Sequence, residues 1–277
     1  MAFPTAPCGQ GTVWDPVNEE CIIAIPADLN YDGCVTVNDL LVLLAVHGTC
    51  PPYPEWPDEP TDTTWTCGDP LTYWDYDYAT VLIGDQCWFA ENLRTDQYAN
   101  GDSIPSGLTD AEWANTISGA TAIYGEGSSN CGDMSPDIDA CDELQSLEYY
   151  GRLYNGYSVN DERGLCLEGW HVSTDGDWTI LENHVAAQGF AGMEGSALKS
   201  TTGWYNNGNG TDEFGFSALP GGYRSNVTSG NYIHAGLVGH WWSTLEVGTR
   251  TMAYTGPDLD LHYFSAPGGF SVRCVKD

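Results

Sequence analysis

Apolar positions recur at helical spacing in only a few stretches of this chain. Trp178, Leu181 and Val185 fall on one face of a predicted helix over residues 175–188, with Thr174 or Asp175 as its cap and Gly189 just beyond its end. Weaker helical signals cover residues 109–116 and a stretch near 142–147. An earlier apolar run, Leu40, Leu41, Leu43, Leu44, Ala45 and Val46, predicts a helix that stops at Gly48. Elsewhere the apolar runs are short and bounded by Gly, Pro, Asn and Asp. They predict strands at 78–83, 87–91, 151–157, 169–172, 241–244, 250–254 and 270–275. Residues 99–150 hold neither period for long and read as an insertion tied down by Cys131 and Cys141.

The pattern changes character between residues 51 and 66. Pro51, Pro52, Pro54, Pro57 and Pro60 interrupt it, and the segment reads as an extended linker or docking arm. Tyr53, Trp56 and Trp65 within it are costly to leave in water, so part of the arm is expected to lie in a groove. Three parts follow: a small module over 1–50, the arm over 51–66 and one domain over 67–277. The predicted class is α+β.

Charge narrows the partners. The chain has 277 residues with 39 acidic and 8 basic side chains, a net charge of −31. No basic patch exists for nucleic acid. Such a surface repels itself unless cations screen it. No run of about 18 apolar residues is present, so no membrane span is expected. Residues 1–7 show no charged start before an apolar stretch, so no signal peptide is read there and the sequence is taken as a mature or partial chain.

The small module carries one sharp motif. Asp28-Leu-Asn30-Tyr-Asp32-Gly33-Cys34-Val-Thr36-Val-Asn-Asp39 sets oxygen donors at loop positions 1, 3, 5, 9 and 12 and glycine at position 6. A hard cation takes six to eight oxygens at about 2.3–2.6 Å, so calcium is the expected cofactor. Asp28, Asn30 and Asp32 would give side-chain oxygens and Cys34 its backbone carbonyl. Thr36 would bind directly or through water, and Asp39 would close the loop. The last ligand is Asp rather than Glu, and Pro26 argues against an entering helix. The motif therefore resembles a dockerin type I repeat. A dockerin has two repeats and this chain has one, so a structural clamp is expected rather than cohesin binding. A second calcium site is weighed at Asp258 and Asp260 with Glu246, Asp212 and Glu213.

Ten cysteines without zinc-type spacing point to disulfides in an oxidising space. Nearest-neighbour pairing gives Cys8 with Cys21, Cys34 with Cys50, Cys67 with Cys87 and Cys131 with Cys141. Cys166 and Cys274 remain for each other, although spacing alone leaves other linkages open. Asn209-Gly-Thr211 and Asn226-Val-Thr228 are candidate glycosylation sequons.

Six blocks occur in order across the larger domain: 81–94, 150–155, 165–175, 215–224, 239–243 and 269–274. They resemble the Fibrobacter succinogenes major paralogous domain. The block from Trp170 to Trp178 and the run Trp241-Trp242-Ser243 are also similar to the C-type lectin-like fold, including its formylglycine-generating-enzyme branch. The resemblance implies an extracellular protein of bacteria, a small twisted antiparallel sheet, few helices and long ordered loops. It implies no established enzyme activity.

The chemistry searched for is mostly missing. His47, His171, His184, His234, His240 and His262 form no metal-binding pair at helical spacing. His171 reads as a hydrogen-bonded scaffold residue. There is no Gly-x-Ser-x-Gly elbow and no phosphate loop. The redox cysteine pair of formylglycine-generating enzymes reduces to Cys274, and the sugar-binding tripeptides of C-type lectins are not present. The sequence therefore predicts a non-enzymatic, secreted, calcium-stabilised cell-surface protein. Its partner is a surface glycan or protein in adhesion, or a second copy of the chain in an extracellular filament. A third reading is an accessory module of a carbohydrate-active enzyme.

Overall fold

The computed structural model describes residues 65–127, 131–225, 230–243 and 248–277, and the backbone of 12–15 and 20–23. The chain divides into two compact units, Met1–Thr64 and Trp65–Asp277. In the first, β1 (Thr12–Asp15) pairs antiparallel with β2 (Glu20–Ile23), Thr12 standing opposite Ile23. The calcium-loop residues 28–39 and the arm up to residue 64 lie outside the described residues.

The second unit is mixed α+β and mostly sheet. It opens on a hairpin of β3 (Leu71–Tyr73) and β4 (Tyr76–Tyr78). The turn residues Trp74 and Asp75 both have positive φ, 48° and 60°, as a two-residue hairpin of this twist requires. Next come β5 (Thr80–Ile83) and β6 (Gln86–Phe89), joined at Gly84 and Asp85. With β10 (Trp170–Val172) and β17 (Cys274–Lys276) they form a four-stranded sheet in the order β10-β17-β6-β5.

The larger sheet has nine strands. Its main path is β15-β14-β13-β11-β16-β9-β7, with β12 attached to β11 and β8 attached to β12. The ranges are β7 Thr121–Ile123, β8 Cys131–Asp133, β9 Arg152–Asn155, β11 Gly221–Arg224 and β12 Tyr232–Ala235. β13 is Val238–Ser243, β14 Gly248–Ala253, β15 Asp260–Tyr263 and β16 Gly269–Phe270. Residues 99–150 are thus not an insertion, because β7 pairs with β9 and β8 with β12. The expected strand 270–275 is two strands in two sheets. Between them Ser271 and Val272 cross over, with Ser271 N–H donating to the His240 carbonyl and Leu93 N–H to that of Val272.

Helices sit where caps permit. The helix Asp175–Val185 starts with Thr174 in a reciprocal capping box with Asp177 and buries Trp178, Leu181 and Val185. It ends three residues earlier than its periodicity predicts, giving way to a wide turn over Ala186–Phe190 with Gly189 at φ 102°. Thr109 boxes with Glu112 to start Asp110–Asn115, and Asp142 caps Glu143–Tyr150. Short helices Gly156–Val159 and Glu194–Leu198 complete the set.

Three apolar clusters make the core. Tyr78, Phe89, Tyr154, Trp242 and Phe270 belong to one, and Trp88, Trp178, Phe216 and Trp241 to a second. Trp113, Tyr124 and Tyr232 belong to a third. Trp65, read from sequence as part of the arm, stands edge-on to Trp170 and gives its indole N–H to the Pro70 carbonyl.

A buried cation joins two of these clusters. Arg273 is fully buried, and its guanidinium donates to Asn92 Oδ1 (2.9 Å) and to the carbonyls of Phe89 (2.8 Å), Phe216 (2.8 Å) and Ser217 (3.1 Å). Asn92 Oδ1 also accepts the Trp241 indole N–H at 2.8 Å. Of the 8 basic residues, Arg152, Lys199, Arg224, Arg250 and Arg273 are all buried. That leaves Arg163 and Lys276 as the exposed cations, with Arg94 between the two states. The surface is therefore even more one-signed than the composition.

Candidate functional site

Three of the five expected disulfides fall within the described residues: Cys67–Cys87, Cys131–Cys141 and Cys166–Cys274, each with Cα atoms 5.9 Å apart. Cys8, Cys34 and Cys50 lie outside them, as does the side chain of Cys21, whose backbone is in β2. Asp28, Asn30, Asp32, Thr36 and Asp39 also lie outside, as do Asn226 and Glu246. Asn209 is exposed, and its Oδ1 accepts the Trp204 backbone N–H at 3.0 Å, which turns its amide nitrogen away from that bond.

The second calcium site includes Glu246, which lies outside the described residues. Among the described residues no three His, Cys, Asp or Glu side chains are grouped to hold a metal ion. Asp212 is instead committed to Ser217, accepting its N–H and hydroxyl at 2.7 Å each.

Two of the histidines, His171 and His240, are held in place by hydrogen bonds. His171 Nδ1 meets Asp277 at 2.6 Å and Nε2 meets Asp177 at 3.0 Å, so both ring nitrogens are engaged. Desolvation pulls its pKa down, but the two hydrogen-bonded carboxylates outweigh it and the net shift is upward. His240 is buried against Tyr223, Phe264 and Phe270, with Nδ1 2.7 Å from the Thr251 hydroxyl. Burial pushes its pKa down to about 3, keeping it neutral.

Sequence reasoning missed a constellation built on Arg163. The turn Asp161–Gly164 places Arg163 Nε and Nη2 on the two Asp161 oxygens at 2.8 Å each. Nη1 reaches Asp102 at 3.1 Å, across 61 residues of chain. The guanidinium lies over the Tyr98 ring, 3.8 Å from its centroid. Arg163 holds the Asp161 carboxyl down to about 2. Asp102 is also lowered, first by the Asn100 amide and then by Arg163. Tyr98 is buried beside Asp161 and Arg163, and desolvation pushes the pKa of its hydroxyl up.

This group borders a cleft of about 730 Å³ whose walls include Ser103, Ile117, Ser118, Tyr157, Asn160 and Glu162. Gly119 forms part of the wall because a Cβ there would stand 2.0 Å from the Tyr98 hydroxyl. The volume lies in the ~300–1,000 Å³ range of small-molecule sites. A signal was available: Arg163 is one of few basic residues in an acidic chain and sits in Asn-Asp-Glu-Arg. Its partner Asp102 is too distant in sequence to be paired with it by pattern.

The described unit is thus a disulfide-tied, β-rich α+β domain, of a kind suited to an oxidising exterior. The family model of the Fibrobacter succinogenes major domain matches residues 81–276, and the chain belongs to that family. Membership and the disulfides are consistent with an extracellular protein. No curated protein and no solved structure matches. No helix among the described residues is long and apolar enough to cross a membrane.

Proposed function

We propose that this chain is a non-enzymatic, secreted bacterial cell-surface protein that acts in adhesion. Calcium held by Asp28, Asn30, Asp32, Cys34, Thr36 and Asp39 would staple a dockerin-like N-terminal module, and the larger unit would be a C-type lectin-like recognition domain. The observation that carries the reading is the Arg163 cleft: a pre-set polar surface with no reactive pair beside it. Its carboxylate Asp161 is depressed, whereas a glycosidase acid needs a raised pKa. His171 has no free ring nitrogen for base chemistry, and His240 is buried.

The test is retention of the purified full chain on polysaccharide-coated and protein-coated beads, with calcium and with chelator, beside a glycosidase panel. Retention that weakens on chelation, without hydrolysis, is expected. No retention on any surface sinks the adhesion reading, and hydrolysis sinks the non-enzymatic one.

One observation favours self-assembly into a filament. The outermost strand of the larger sheet, β15, exposes all four residues, including Tyr263 at 67 %. Such an edge accepts an added strand. Electron microscopy with and without calcium decides it, and monomers under both conditions remove this alternative.

A further inference from the structure

We propose that the cleft lined by Arg163, Asp161 and Glu162 binds neutral carbohydrate. The inference deepens the adhesion reading and rests on it.

The charge pattern selects against ions. Arg163 is 39 % exposed, yet its charge is met on both sides by Asp161 and Asp102. An anionic ligand would meet those carboxylates and a net charge of −31. A cation would find no group of three ligating side chains among the described residues. The remaining class is neutral and polar.

The donor pattern suits adjacent hydroxyls. Three of the five guanidinium N–H bonds of Arg163 are committed to carboxylates, leaving one on each terminal nitrogen. The same cleft is lined by Ser118, Asn160, Asp161 and Glu162, which carry hydroxyl, amide and carboxylate groups. A sugar hydroxyl both donates and accepts, so neighbouring hydroxyls match a wall that alternates the two roles. Asn160 is already oriented, because its amide donates to the Gly156 carbonyl at 2.7 Å. The stack of Arg163 on Tyr98 and its two ion pairs fix the fork before any ligand arrives, which limits the entropy lost on binding.

An aromatic stands near this group. Trp74 is the first turn residue of the β3–β4 hairpin, and its φ of 48° is set by that turn. Its ring leans on Gly101, where a Cβ would lie 3.5 Å from Cη2, one residue from Asp102. It is 39 % exposed. A flat, half-exposed ring beside polar groups offers an apolar face to the C–H side of a sugar ring.

The experiment uses the oxidised full chain on an array of neutral and acidic glycans and unrelated peptides, followed by calorimetric titration with the neutral oligosaccharide that gives the strongest signal. Binding to neutral glycans is expected. Arg163→Gln should weaken it at least tenfold. Trp74→Asn should weaken it about fivefold while holding or raising thermal stability, because Asn tolerates positive φ. Leu144→Ser, on an exposed helix position, should leave affinity unchanged. Preference for acidic glycans or peptides overturns the proposal, as does neutral binding that both variants preserve. Full-chain adhesion to beads that survives in Arg163→Gln and Trp74→Asn removes the cleft and keeps the adhesion reading. No adhesion by the unaltered chain removes the adhesion reading itself.

Discussion

Replacing Arg273 by Met tests whether one buried cation holds two of the core clusters together. Its side chain is fully buried, and four acceptors take hydrogen bonds from it: Asn92 Oδ1 and the carbonyls of Phe89, Phe216 and Ser217. Met has a similar reach and no donor. Asn92 Oδ1 keeps the Trp241 indole N–H, and each of the three carbonyls that loses its donor costs about 1–3 kcal/mol when it stays buried. The costs are not additive, and removing a buried charge recovers part of its desolvation penalty. A net loss of ~3–5 kcal/mol follows, against a typical domain stability of ~5–15 kcal/mol. Arg273→Lys should recover only part, because one ammonium cannot span four acceptors on two segments. The assay is equilibrium urea unfolding of the oxidised chain at fixed calcium, followed by tryptophan fluorescence, with Leu144→Ser as a surface control. A loss below about 1 kcal/mol for Arg273→Met would refute the reasoning, since the acceptors would then be satisfied some other way.

Other predictions follow from single features. Removing Cys166–Cys274 as a double alanine variant opens a loop of 108 residues and should cost about 4–5 kcal/mol on the chain-entropy account, read as a fall in thermal midpoint. Thr174→Ala removes the reciprocal cap of Asp175–Val185 and should cost ~0.5–2 kcal/mol in urea unfolding. His240 has its folded pKa depressed to about 3, so its contribution is fully present above its unfolded value and is lost as pH falls from about 6.5 toward 3. Over that window it steepens the stability curve by up to about 1.4 kcal/mol per pH unit, and His240→Gln should flatten the curve below pH 6. His171 acts the other way. Its folded pKa is raised, so its contribution is present below about 6.5 and lost as pH rises through the folded value. It is half-exposed, so His171→Gln should change stability by only ~0.2–1 kcal/mol, and only at the acid end.

Much of the local structure was legible because local chemistry decides it. Thr174 with Asp177, and Trp178, Leu181 and Val185 on one face, announce a helix that needs no distant partner. The strands missed from sequence failed for stated reasons. Thr121–Ile123 is buried throughout, so it carries no alternation to detect. Asp260–Tyr263 is exposed throughout and reads as a polar turn. Gly221 and Gly222 carry no side chain to show an alternation, yet Gly222 sits in β11 at φ 61°, where a Cβ would come within 2.6 Å of Ala235 N. Arg273 and Arg224 were invisible as core residues because a charged side chain is ordinarily exposed. The cleft was hidden because Asp102 and Arg163 meet only through the fold.

The central claim is that the large unit recognises a ligand at the Arg163 cleft and does no chemistry on it. The most direct measurement incubates the full chain with the neutral oligosaccharide it retains, then determines both the bound fraction and the mass of the recovered sugar. The account predicts saturable binding, lost in Arg163→Gln, and a sugar recovered unchanged. Cleavage or modification of the sugar that disappears in Asp161→Asn would contradict it, and so would a chain that retains no neutral sugar.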